Sequence, residues 1–327
     1  MMPTVFNNRC LSLAVTLALS LAAGAAPDLS PAATPALMTR MAEHALLEGI
    51  AQSGSTLLAV GEHGVILRSV DRGAHWQQVP SPSSVLLTSV VFVDAQHAWA
   101  VGHDGVIVAS ADGGQSWHLQ HRADPAGKHK GTPLLGVWFH DAQSGLAIGA
   151  YGYVLRTDDG GKTWMDMDAS FPDPDGWHLN AICGSGQSVF VVGEKGQIFR
   201  SDDAGHQWVK LNSPTDASLF AVAEPAAHEL YAAGLSGGLY RSVDEGQTWT
   251  ALASTTNSGL LGIAGRSDGQ VVIVGNAGTV LISQDHGNSF HKMTLANRDH
   301  LLAVQPEPGK DWIAVGENGL HTIHLKP

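Results

Sequence analysis

Apolar and polar positions along this 327-residue chain alternate in short blocks that return in the same order. A run of four or five apolar residues closes on Gly-x-x-Gly and a second apolar run follows. A polar string, Ser/Thr-x-Asp-x-Gly-x-x-Trp/Phe, ends the unit, as in residues 59–78, AVGEHGVILRSVDRGAHWQQ. Runs this short, rich in β-branched and aromatic residues and bounded by glycine, predict strands. The glycine pair recurs at Gly61/Gly64, Gly102/Gly105, Gly149/Gly152, Gly193/Gly196, Gly234/Gly237, Gly275/Gly278 and Gly316/Gly319, in steps of 41, 47, 44, 41, 41 and 41 residues. Upstream of every pair stands a further strand pattern, Leu-x-small-Val/Ile, whose third position is Gly49, Ser89, Gly136, Ala181, Ala221, Gly262 and Ala303.

A period just above 40 residues with four short strands per unit is that of a propeller blade. The prediction is therefore an all-β, seven-bladed β-propeller of four-stranded antiparallel blades, occupying residues 46–327. The uniformly small position fits innermost strands converging on a common axis. Gly-x-x-Gly is expected to join second and third strands as a tight hairpin, with glycine supplying the positive φ of a primed turn. The polar string is complete in six units and matches the Asp-box, or bacterial neuraminidase repeat. Its aspartates are Asp71, Asp112, Asp159, Asp203, Asp244 and Asp285. A short carboxylate can accept N–H bonds within its own turn, and the aromatic can cap the hairpin by burying about 150–250 Å². Six equivalent carboxylates in six equivalent turns read as structural staples. The seventh unit ends before such a string, at residues 320–325, LHTIHL. An open sheet edge is a liability, so its outer strand is expected from residues 32–43.

Composition changes the picture at the N-terminus. Arg9 precedes an apolar, small-residue run from Cys10 to Ala23, with Ala-x-Ala sites near Ala23–Ala26. About 14 apolar residues fall short of the roughly 20 that span a bilayer, so residues 1–25 read as a secretory signal peptide cleaved near Ala25. That places the mature chain in the periplasm or otherwise outside the cytoplasm, with residues 26–45 as linker or closing strand. Lys and Arg total 18 against 30 Asp and Glu, a net charge of −12 with no basic stripe, which argues against nucleic acid. Of two cysteines, Cys10 leaves with the leader, so Cys183 stands alone as a buried, inert group and no disulfide framework exists.

Functional information has to lie where the units differ. Extra residues separate units two and three, 121–133 (HRADPAGKHKGTP), and units three and four, 168–177 (DASFPDPDGW). In a four-stranded blade both connections share a face with the Gly-x-x-Gly turns, and long loops on a rigid scaffold are where binding usually resides. The first insertion is basic (Arg122, Lys128, Lys130). The second is acidic (Asp168, Asp173, Asp175), with Phe171 and Trp177 as the aromatic anchors of a partner-binding face. Either the two insertions pair with each other or they recruit a partner, with Tyr151 at the edge. His118, His121 and His129 with Asp124 lack the spacing of a metal motif, so no metal or cofactor is expected. Gly-x-x-Gly opens no helix and is not a phosphate loop. Arg68, Arg156, Arg200 and Arg241 precede the Ser/Thr of four polar strings and read as blade-to-blade partners. No nucleophile motif appears, and a monomer without enzymatic activity is expected.

The combined pattern from residue 47 to the C-terminus, AVG-x-x-G followed by Ile/Val, an apolar residue, Arg and the Ser/Thr-x-Asp-x-Gly-x-x-Trp string, resembles the photosystem II stability and assembly factor-like propellers. The resemblance implies a non-enzymatic scaffold that holds an envelope or inner-membrane protein during assembly. Similar repeats occur in sialidases, which implies as the alternative a glycosidase or carbohydrate-binding propeller. Such an enzyme would need a tyrosine nucleophile among Tyr151, Tyr153, Tyr231 and Tyr240.

Overall fold

A computed structural model describes residues 30–307 and 311–324. The expected leader at residues 1–25 lies outside the described residues. Seven antiparallel sheets follow one another around a ring, at residues 47–79, 87–121, 134–166, 179–210, 219–251, 260–294 and 301–323. We call these blades 1 to 7. Each runs from an inner strand to an outer one in chain order; in blade 1 the strands are Leu47–Ser53, Thr56–Gly61, Ile66–Ser69 and Gln77–Val79. The second strands Ala98–Gly102, Gly145–Gly149, Val271–Gly275 and Trp312–Gly316 are buried at every residue. Each lies between two neighbouring blades, so neither face meets water and the sequence carries an unbroken apolar run.

The Gly-x-x-Gly turn differs from the primed hairpin the sequence predicts. Gly61 has φ −172°, extended backbone that any residue can adopt. The positive angles fall on His63 (φ 55°) and Gly64 (φ 70°). Gly61 is required by crowding instead, since a Cβ there would stand 2.0 Å from the Leu46 carbonyl oxygen. The same turn recurs in blades 1 to 6 and blade 7 has a two-residue turn in which Asn318 takes φ 59°, so every blade carries one non-glycine residue in left-handed conformation there.

The six polar strings share one hydrogen-bond pattern. The Ser/Thr hydroxyl donates to the aspartate Oδ1 at 2.7–2.9 Å. That oxygen also accepts the backbone N–H four residues on, at 2.8–2.9 Å. Trp76, Trp117, Trp208 and Trp249 close the turn by donating their ring N–H to the glycine carbonyl three residues back, at 3.0–3.1 Å. Arginines carry the turn to its neighbour. Arg68 Nε donates to the Gly113 carbonyl at 2.8 Å, Arg156 to that of Ala204 at 2.8 Å, and Arg200 to that of Glu245 at 3.0 Å while pairing with the Glu245 carboxylate. Arg241 reaches Asn288 Oδ1 at 3.4 Å. Each contact joins one blade to the turn of the next.

Blade 7 keeps three strands among the described residues, which corrects the expectation that residues 32–43 supply the fourth. That segment holds only two short turns, Pro31–Ala33 and Ala42–His44. Pro31 and Pro35 cannot donate into a ladder, and the segment runs instead as a strap along blade 1. The Pro31 carbonyl accepts from Ser84 N–H at 2.9 Å, Ala36 N–H donates to Ser81 at 3.0 Å, and Gln78 accepts from Thr39 N–H at 2.7 Å. Ala42 then enters the core between blades 7 and 1, beside Ile313, Val315 and Leu47. The ring closes by face-to-face packing rather than by a shared sheet.

Candidate binding face

The connections between blades and the Gly-x-x-Gly turns share one face. Ala123 N–H donates to the Asp104 carbonyl at 2.9 Å and Gly152 N–H to that of Trp177 at 3.0 Å, which ties both insertions to turns of that face. The insertions also pair with each other. Lys128 Nζ lies 2.6 Å from Asp168, and His129 Nε2 lies 3.2 Å from Asp166 and 2.9 Å from Asp168. The basic and acidic loops thus satisfy part of each other's charge.

Two of the sequence-selected residues are not available to a partner. Phe171 is buried, its ring 4.8 Å from Phe199 and 5.2 Å from Trp208. The loop folds back over the uncapped end of the blade 3–4 interface, where burying an aromatic gains more than leaving it in water. Asp173 is buried as well, donates its backbone N–H to the Phe171 carbonyl at 2.9 Å and accepts a hydrogen bond from Gln197 at 3.1 Å. Trp177 is half-buried with the Lys195 ammonium 5.5 Å above its ring. Asp175 and Lys130 are exposed. Arg122 reaches Ser30 Oγ at 3.5 Å and lines, with Lys130 and Asp104, a small cavity of about 210 Å³.

Tyr151 is the outlier of the face. It occupies the left-handed position of the blade 3 turn, where the other blades carry His63, Asp104, Lys195, Ser236, Ala277 and Asn318. The residue is 66% exposed and its ring meets His178 edge-on at 4.7 Å. Tyr151, His178, Trp177 and Lys195 therefore form a continuous aromatic and cationic patch over the boundary of blades 3 and 4. A second apolar surface, Leu37, Met38 and Met41 on the N-terminal strap, was not singled out from the sequence because nothing in its pattern separates it from linker.

The inner strands surround a central cavity of about 430 Å³, lined by the seven small residues and by the position before each: Glu48, Thr88, Leu135, Asn180, Phe220, Leu261 and Leu302. Thr88 Oγ1 donates to the Leu134 carbonyl at 2.7 Å and Asn180 Nδ2 to that of Leu219 at 2.8 Å, each tying one inner strand to the next. Burial pushes the Glu48 carboxyl up to about 7. Glu48 is the one carboxylate among the residues lining the cavity. The repeat marks its position in every unit, but the pattern leaves that position unconstrained, so only the fold reveals what it faces. The tyrosines do not converge there: Tyr153 and Tyr231 are buried between blades, where desolvation raises both phenols, and Tyr231 donates to Glu229 at 2.8 Å. Cys183 also has its thiol pushed up by burial, which makes it inert.

Residues 128–257 match the family model described as photosynthesis system II assembly factor YCF48. Comparison with curated proteins finds no match. Among solved structures, YCF48 bound to D1 peptide is 20% identical, with 90% of this chain and 100% of that chain covered at a TM-score of 0.69. YCF48 from Cyanidioschyzon merolae is 17% identical, with 86% and 96% covered and a TM-score of 0.66. The GH74 enzyme of Niastella koreensis is 14% identical at a TM-score of 0.67, with 86% of this chain and 52% of that one covered. At these identities the structural likenesses establish the fold alone.

Proposed function

We propose that this photosystem II assembly factor-like propeller is a non-enzymatic binding scaffold, working outside the cytoplasm, that holds a segment of a membrane or envelope protein on the face carrying the two insertions. The observation that carries the reading is the exposed Tyr151 ring, placed by its turn in the aromatic and cationic patch that only the boundary of blades 3 and 4 carries among the described turns. Exposed aromatics beside a cation are what interface hot spots are made of. The solved YCF48 with its D1 peptide supports a peptide segment as the class of ligand. A glycosidase reading, suggested by the sialidase-like repeats and by the likeness to a GH74 enzyme, calls for two carboxylates across one cleft or for a tyrosine nucleophile beside an acid, whereas Glu48 is the sole carboxylate lining the central cavity and Tyr153 and Tyr231 are buried between blades.

Tagged chain incubated with solubilised envelope tests the reading. Tyr151→Ala together with Trp177→Ala is expected to weaken recovery of the partner by at least about 2 kcal/mol, the level of a hot spot, with an unchanged melt. Undiminished recovery would remove the patch from the interface. Hydrolysis of a xyloglucan or sialoside by the purified chain, lost in Glu48→Gln, would establish the enzyme instead.

A further inference from the structure

We infer that His129, Asp166 and Asp168 form a divalent-metal site, of the zinc class, that clamps the two insertions together. The side chains come from two stretches of chain: His129 from the loop between blades 2 and 3, and Asp166 and Asp168 from the end of the blade 3 outer strand and the start of the loop that follows. Their donor atoms all lie within 4.8 Å of one another. His129 Nε2 stands 3.2 Å from Asp166 Oδ2 and 2.9 Å from Asp168 Oδ2. Zinc bonds of about 2.0–2.2 Å at tetrahedral angles hold neighbouring donors about 3.3 Å apart. The two imidazole–carboxylate pairs therefore need to open by only a few tenths of an ångström to admit the ion, and the two carboxylates stand within 4.8 Å of each other.

The surroundings orient the ligands as metal sites require. Asp168 Oδ1 accepts the Val154 backbone N–H at 2.9 Å, and Asp166 Oδ1 accepts that of Asp168 at 2.9 Å. Each carboxylate is thus held by one oxygen while the other faces the imidazole. The His129 ring is stacked on Tyr153 at 3.8 Å and 9°, and the Tyr153 hydroxyl is 3.1 Å from His121 Nε2. One imidazole with two carboxylates suits zinc or cobalt(II) better than the all-oxygen shells of calcium and magnesium. Two carboxylates neutralise the ion, with water in the fourth position. The Lys128 ammonium, 2.6 Å from Asp168 Oδ2, now supplies that positive charge, and its side chain is 69% exposed. It can swing into water when an ion enters.

Chelator-stripped mature protein titrated with cobalt(II), followed by the visible absorption of four-coordinate cobalt and by zinc displacement, tests the site. One equivalent is expected to bind, with His129→Ala and Asp166→Asn each weakening binding at least tenfold, and Lys128→Ala binding at least as tightly as the natural chain. Asp166 is half exposed and caps only its own turn, so Asp166→Asn remains informative if His129→Ala unfolds. Absence of saturable binding, or binding by the His129 and Asp166 variants as tight as that of the natural chain, would overturn the site and leave the cluster as an ion pair. The readout is independent of partner recovery, so either reading can fail alone.

Discussion

Gly205 takes φ 87° in the polar turn of blade 4, and a Cβ added there would stand 2.3 Å from Leu146 Cδ1 of blade 3. Gly54, in the first hairpin of blade 1, has φ 60° but nothing within 4 Å. The pair separates conformational strain from crowding. Gly54→Ala is expected to cost about 1 kcal/mol, the left-handed penalty alone. Gly205→Ala adds overpacking of about 1–3 kcal/mol against a fixed neighbouring blade. Urea unfolding of both variants checks this, and equal losses would show that the turn glycine is kept for its φ only. Residues like Gly205 were legible in the sequence because six copies of one string repeat the same requirement. Phe171 was not, because an aromatic inside an acidic loop looks exposed until Phe199 and Trp208 are found beneath it.

At the scale of elements, the strands were legible because burial on both faces writes an unbroken apolar run between glycines. The non-repeated segments were not, since their conformation depends on what they cover. The second insertion is a plug as much as a binding loop: Phe171 fills the blade 3–4 interface beside Ile148, Val191 and Phe199. Phe171→Ala is therefore expected to cost about 3–5 kcal/mol, the range for truncating a buried aromatic. Partner recovery per folded molecule should stay near that of the natural chain, because the ring is out of a partner's reach. Thermal melts alongside the envelope pull-down decide it; a normal melt with lost recovery would return Phe171 to the interface. The N-terminal strap teaches the same lesson, since the incomplete seventh unit announced a need for closure and the prolines at 31 and 35 decided that closure would not be a strand.

For the whole molecule, the aspartate turns and the central cavity pull stability in opposite directions as pH changes. Hydrogen bonds from the His75 side chain, the Thr163 backbone, the Thr248 side chain and the Ser289 side chain, first among several, hold Asp71, Asp159, Asp244 and Asp285 at about 2. Folded values below unfolded ones mean that these turns contribute fully above about pH 4 and lose their contribution as pH falls towards 2. Glu48 has the other sign. Its carboxyl is pushed up to about 7 by burial, so the folded chain binds the extra proton, and stability is lost as pH rises from about 4.5 through 7. Every polar turn touches a neighbouring blade, so acid should loosen the interfaces together and keep the transition cooperative. The expected profile is a melting temperature highest near pH 5, falling steeply below about pH 4 and gently towards neutrality. Glu48→Gln should remove the gentle fall and leave the acid limb unchanged, while Asp244→Asn should soften the acid limb alone. Calorimetric melts from pH 3 to pH 8 read both limbs at once. A Glu48→Gln profile that still declines towards pH 7 would mean that the charge in the central cavity is not what limits stability there.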